Sequence, residues 1–139
     1  MIVVDTGPWV ALFDPLDAAH DRARRALESV NDALVTTPAV LTEAFHLLGG
    51  WNRGTEALAE FIAGGGTDVW FPDGSGLERL FQLMKQYADR PMDFADASLV
   101  CAAEHFRTTR VFTIDRNDFS TYRVRIGKTS KPLRIIGPP

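Results

Sequence analysis

Four short apolar runs, at residues 2–4, 34–36, 69–71 and 111–114, are separated by longer stretches in which apolar residues recur at helical spacing. Runs of three or four residues bounded by turn formers read as buried strands. Short strands alternating with amphipathic helices indicate an α/β fold with a mostly parallel central sheet covered by helices on both faces. In such folds the functional crevice lies beyond the carboxyl ends of the strands, where the strand order reverses. The residues just after each run are therefore the first place to look for chemistry.

The helices can be placed from their punctuation. Pro8 suits the first turn of a helix through Phe13, and Asp17 is expected to open a charged outer helix reaching about Val30. Thr37 and Pro38 read as N-cap and first helical position of a helix through Leu48, stopped by Gly49 and Gly50. Further helices are expected at 55–63, ended by the glycines at 64–66, at 76–88 with Leu77, Leu80, Phe81 and Met84 on one face, and at 93–106. Residues 122–126 and 133–136 read as short strands joined by a turn at 127–130. Trp9, Trp51 and Trp70 are expected in the core or at an interface.

With 139 residues the chain fits one domain spanning 1–139. Apolar residues at 45% and charged residues at 24% are ordinary for a globular protein, which argues against disorder. No apolar run approaches the ~20 residues needed to span a bilayer, and Met1 leads directly into Ile-Val-Val rather than into a basic segment and signal core. A cytoplasmic protein with no membrane association is expected. The single cysteine, Cys101, rules out an internal disulfide and reads as a small core residue.

Four acids sit where charges are awkward. Asp5 and Asp115 hang off the carboxyl ends of expected strands. Asp96 shares a helical face with Leu99, Val100 and Ala103, and Glu43 lies three residues after Val40 and four before Leu47. Capping explains Asp93, three residues before Asp96, but not all four of the others. Carboxylates gathered in one crevice raise each other's pKa and resist desolvation unless something positive joins them. An oxygen-only ligand set suits one or two Mg²⁺ or Mn²⁺ ions, and such ions activate water for attack on a phosphodiester.

The net charge of −3 is unevenly spread. From Arg107 onward eight basic residues stand against Asp115 and Asp118, so this quarter carries +6 and the remainder −9. Within it, Arg116, Arg123, Arg125 and Lys128 follow the last of the four acids and are candidates for holding an RNA backbone without reading its sequence.

The segments VVDTG at 3–7, TEAFHLL at 42–48, DFADASLV at 93–100 and FTIDRNDF at 112–119 resemble, in order and spacing, the signatures of the PIN domain. More narrowly, the chain is similar to the VapC-type toxin ribonucleases of type II toxin–antitoxin systems. That resemblance implies a three-layer α/β/α fold, an Mg²⁺- or Mn²⁺-dependent endoribonuclease, a homodimer and a small antitoxin partner. It places the family's four acids on Asp5, Glu43, Asp96 and Asp115. Asp118 matches a further acid of many members, Asp93 an auxiliary one, and Thr6 and Thr113 match hydroxyl positions that hydrogen-bond carboxylates or a metal-bound water.

The residues also admit three other readings. Glu43 and His46 have the E-x-x-H spacing of di-iron bundles, which need a second such motif and an all-helical frame. An aspartyl-phosphate phosphatase usually carries a second Asp two residues after the first, where this chain has Gly7. The third is a non-catalytic PIN-like module that binds RNA or protein. The presence of all four acids favours catalysis over that alternative.

Overall fold

The structure, a computed structural model, describes residues 1–137, so the last two residues of the expected 1–139 domain lie outside the described residues. Its central sheet is built from β1 (Ile2–Val4), β2 (Leu34–Thr36), β3 (Asp68–Val69), β4 (Arg110–Phe112) and β7 (Arg134–Ile136). The strand order is β3-β2-β1-β4-β7 and every pairing is parallel. Val3 sits in register with Val35 on one side and Val111 on the other. Ile2, Val3, Val4, Val35, Val111 and Phe112 have almost no exposure, as strands covered on both faces require.

The chain runs outward from β1 to β2 and β3, then returns across the sheet to place β4 on the other side of β1. The order therefore reverses between β1 and β4. Helices α1 (Thr6–Phe13), α2 (His20–Glu28), α3 (Pro38–Leu48) and α4 (Arg53–Ala63) belong to the outward leg, and α1 packs against the other three. The return leg supplies α5 (Gly74–Gln86) and α6 (Phe94–His105), which pack on each other. Helix α6 also lies against β1 and β2 and buries Ala95 together with every residue from Ala97 to Ala103. A helix enclosed on nearly all sides explains why its sequence is mostly small residues.

The local signals act as expected at the helix ends. Thr37 Oγ1 accepts from the Val40 amide, Asn52 and Thr55 form a capping box, and Asp73 and Asp93 cap α5 and α6. Gly49 ends α3 at φ +74°, a conformation that favours glycine. At the carboxyl ends of β1 and β2, the Trp9 indole donates to Thr36 Oγ1 at 3.2 Å and Thr36 donates onward to the Val4 carbonyl at 3.0 Å. Cys101 is a buried free thiol pushed up to about 12 by burial, with the Glu104 charge adding to it, which suits a core role.

Several expectations change. The charged outer helix begins at His20 rather than Asp17, whose carboxylate instead accepts from the Ala19 amide in the preceding turn. On α5 the buried residues are Leu80 and Leu83, while Leu77 and Phe81 face outward, so the apolar stripe is rotated from the expected face. Trp51 is exposed, whereas Trp9 is fully buried. Strand β4 ends at Phe112 rather than Ile114, and the residues after Asp115, to which the sequence assigns no element, form a short helix, α7 (Arg116–Thr121). At the carboxyl end, β5 (Arg123–Ile126) forms an antiparallel hairpin with β6 (Thr129–Pro132), and β7 joins the central sheet beside β4. No helix among the described residues is long and apolar enough to cross a membrane.

Candidate active site

The reversal of strand order brings the end of β1 beside the end of β4. Asp5 is the residue just after β1 and the N-cap of α1, and its amide donates to the Phe112 carbonyl of β4. It is only 8% exposed. Thr113 Oγ1 donates to Asp5 Oδ2 at 2.9 Å. Burial pushes the Asp5 carboxyl up to about 6, and the Asp115 and Glu43 charges add to this, while the Thr6 amide and the Thr113 hydroxyl pull the other way.

Asp115 is the N-cap of α7, accepting from the Asp118 amide at 3.2 Å, and its own amide donates to Thr113 Oγ1 at 3.0 Å. The strand stops three residues before it, so Asp115 stands on a loop rather than at a strand end as expected. Asp5, Asp93 and Asp115 thus all precede helices, where the dipole favours a negative charge.

Asp96 enters from the first turn of α6, with its amide held by Asp93 Oδ1 at 2.8 Å. Partial burial pushes it up to about 7, followed by the charges of Asp93 and Asp5, and Asp115 contributes too. Glu43 comes from the second turn of α3, and Thr6 Oγ1 donates to its Oε2 at 3.1 Å. Where α3 and α6 begin, Thr37 Oγ1 and Ser98 Oγ lie 2.6 Å apart, which fixes the two helix starts against each other. Asp118 is also raised, by desolvation first and by Asp115 next.

The four acids named from sequence therefore share one electrostatic neighbourhood at the switch point, with Thr6 and Thr113 bonded to two of them. Among the described residues, no three His, Cys, Asp or Glu side chains are drawn together tightly enough to hold a metal ion as they stand. The set is open and oxygen-only.

One participant was not named from sequence. Tyr122 is fully buried at the start of the hairpin, and its hydroxyl donates to Asp96 Oδ2 at 3.1 Å. No local pattern marks it, because the contact joins residues 26 apart through the packing of the hairpin on α6.

The basic residues divide. Arg123, Arg125 and Lys128 line a cleft of about 240 Å³ together with Arg79, Gln86, Tyr87 and Ser130. Arg116 is elsewhere, on α7, with Nη2 donating to the Gly137 carbonyl at 3.2 Å. Arg79, which sequence reading passed over, grips Glu104 through two hydrogen bonds of 2.8 and 2.9 Å, and the Arg125 amide donates to the same carboxylate at 2.7 Å. Of the histidines, His46 is exposed and His20 bonds the Ala11 carbonyl, so Glu43 and His46 do not form part of a di-iron frame.

A parallel α/β/α sheet with carboxylates collected where its order reverses defines a class of fold, and comparison with known proteins places the chain within it. The PIN domain model matches residues 2–124, and this chain belongs to the PIN domain family. Ribonuclease VapC26 of Mycobacterium tuberculosis is 30% identical over 125 residues, which cover 88% of this chain and 92% of the relative. The crystal structure of Mycobacterium tuberculosis VapC20, described as a sarcin-ricin loop cleaving toxin, superposes with a TM-score of 0.78 at 21% identity, covering 94% of this chain and 99% of that one. A toxin–antitoxin complex from Klebsiella pneumoniae is similar with a TM-score of 0.68 at 16% identity, over 87% of this chain and 92% of that one. The three-layer fold expected from sequence is the fold these structures share.

Proposed function

We propose that this protein is an endoribonuclease that hydrolyses RNA phosphodiester bonds and acts as the toxin of a toxin–antitoxin pair. The observation that carries the catalytic reading is that Asp5 and Asp96 converge at the switch point with both carboxyls pushed up by burial and by neighbouring acids. A fold alone gains nothing from such a gathering, since each charge is destabilised where it stands. The similarity to ribonuclease VapC26 and to toxin structures supports RNA as the substrate and a small antitoxin as the partner.

The donor set fits a hard divalent cation, Mg²⁺ or Mn²⁺, which binds through a few carboxylates and keeps part of its water shell for substrate phosphate. Asp5, Glu43, Asp96 and Asp115 would hold it, with Asp93 and Asp118 as auxiliary acids. When bound, such a cation supplies charge to the scissile phosphate and acidity to a water. Thr113 holds Asp5 in place, and Thr6 does the same for Glu43. Arg123, Arg125 and Lys128 would hold the RNA backbone along their shared cleft.

One core cluster extends from Ile2 to Leu133, which supports treating residues 1–139 as a single domain. A homodimer is proposed from the family resemblance, and sedimentation of the purified protein tests it.

The experiment for the catalytic reading is cleavage of a mixed RNA pool by purified protein in Mg²⁺, in Mn²⁺ and in EDTA, beside folded Asp5→Asn and Asp96→Asn variants. Metal-dependent cutting lost in both variants is expected. Cutting that persists in EDTA would remove the metal, and folded protein that binds RNA without cutting it would leave the non-catalytic module.

A further inference from the structure

A Tyr at position 122 has its ring fully enclosed: it meets Tyr87 and Phe119 edge-on, each with ring centroids 5.2 Å away. Those neighbours come from different elements. Tyr87 caps the end of α5 and its hydroxyl accepts from the Arg123 amide at 3.1 Å, while Phe119 is the buried residue of α7. The ends of two helices, α5 and α7, therefore fix the position and tilt of the Tyr122 ring. A phenylalanine would fill this space equally well. The hydroxyl adds a polar group to a buried site, and a buried hydroxyl needs a partner.

Its partner is Asp96 Oδ2 at 3.1 Å. The Asp96 backbone is already anchored, since Asp93 holds its amide and the residues following it are buried along α6. What the helix leaves free is the rotation of the carboxylate about its side-chain bonds. A donor fixed by two aromatic contacts removes that freedom and leaves Oδ1 without a bond to this hydroxyl. Carboxylates that bind metals are generally oriented by such outer hydrogen bonds, and losing one costs roughly 10–100-fold in affinity or activity.

We propose that Tyr122 is the positioning residue for Asp96, its hydroxyl holding the carboxylate in the orientation that meets a divalent cation. This rests on the metal-dependent reading given above. Tyr122 touches no substrate in this role. It transmits the geometry of the α5–α7–hairpin junction to one acid of the site.

The test uses the full chain and Mn²⁺ alone, titrated by calorimetry without RNA, comparing wild type with Tyr122→Phe, Tyr87→Phe and Phe119→Leu. Tyr122→Phe keeps the ring packing and is expected to weaken Mn²⁺ about tenfold, with melting temperature within about 2 °C of wild type and unchanged RNA affinity in EDTA. Tyr87→Phe loses a hydroxyl that serves Arg123 rather than Asp96 and is expected to leave Mn²⁺ affinity as it was. Phe119→Leu disturbs the same cluster with the Tyr122 hydroxyl intact and is expected to lower melting more and Mn²⁺ affinity less than Tyr122→Phe. Wild-type affinity in Tyr122→Phe overturns the proposal while leaving the metal reading in place. Equal weakening in Phe119→Leu, or a Tyr122→Phe protein that melts far below wild type, makes the hydroxyl structural and overturns it too. Wild-type protein that binds no Mn²⁺ removes the metal reading itself, and this proposal with it.

Discussion

Thr113 Oγ1 donates to Asp5 Oδ2 across 2.9 Å, joining two residues 108 apart in the chain at the point where β1 and β4 end side by side. The same oxygen accepts from the Asp115 amide at 3.0 Å, so one hydroxyl holds the acid that follows β1 and the backbone of the acid on the loop after β4. Thr113 is fully buried, and its loss would leave the Asp115 amide without that acceptor as well as Asp5 without its donor. Thr113→Val is expected to lower stability by about 1–3 kcal/mol and to slow RNA cleavage at least tenfold, whereas Thr113→Ser retains most of both. Urea unfolding and initial cleavage rates on the same preparations check this. A valine variant with wild-type rate would show that the hydroxyl does not organise the site.

The raised acids make stability depend on pH. Asp5 titrates near 6 and Asp96 near 7 in the folded protein, against 3.8 when unperturbed. Between about pH 4 and 7 the folded state therefore holds more protons than the unfolded chain, and the contribution of these groups to stability falls as pH rises through that window. In EDTA, Asp96→Asn is expected to melt roughly 3 °C or more above wild type at pH 8 and close to it at pH 5. Equal gains at both pH values would mean that Asp96 is not the raised group. Mn²⁺ binding runs the other way and should tighten from pH 5.5 to 8 as protons leave the site.

Arg79 and Glu104 form a two-pronged pair that is largely withdrawn from solvent, with side chains 19% and 11% exposed. Glu104 also accepts the Arg125 amide and so ties α6 to the hairpin. Arg79→Met leaves a largely buried carboxylate with that amide as its remaining donor, a loss of about 3 kcal/mol, the low end for a buried pair because both side chains keep some solvent contact. Removing both partners together, as Arg79→Met with Glu104→Gln, is expected to recover part of it, and a double-mutant cycle in urea measures how much. If the two single losses simply add, the pair is not coupled.

The cleft lined by Arg123, Arg125 and Lys128 should act on RNA through charge. Replacing all three by Gln in an Asp5→Asn background is expected to weaken RNA uniformly across sequences. The slope of log affinity against log salt should shrink by about 2, since each phosphate contact on a single strand contributes roughly 0.7. Filter binding at several salt concentrations reads this directly. A changed sequence preference with an unchanged slope would instead point to base contacts.

Much of the site was legible because its residues stand next to local signals. Asp5 follows an apolar run and precedes Pro8, Asp93 precedes an apolar helix, and Glu43 lies within a helix whose start is marked by Thr37 and Pro38. Helix α7 was missed because its sequence, Arg-Asn-Asp-Phe-Ser-Thr, is rich in residues that favour turns. What makes it a helix is the cap from Asp115 and the burial of Phe119. The same limit misplaced the apolar face of α5, where Leu77, Leu80, Phe81 and Met84 satisfy helical spacing as well as Leu80 and Leu83 do. Only the position of α6 decides which stripe is covered.

By itself the sequence determined the alternation of strands and helices, the capped helix starts and the places of the candidate acids beside those elements, because each of these is written in spacing over a few neighbouring residues. Tertiary structure alone decided which distant groups meet. It paired β1 with β4, split β5 and β6 off as a hairpin while sending β7 into the main sheet, separated Arg116 from the other three basic residues, and brought the Tyr122 hydroxyl to Asp96. Those outcomes depend on burial and hydrogen bonding between segments far apart in the chain, and no local window of sequence carries that information.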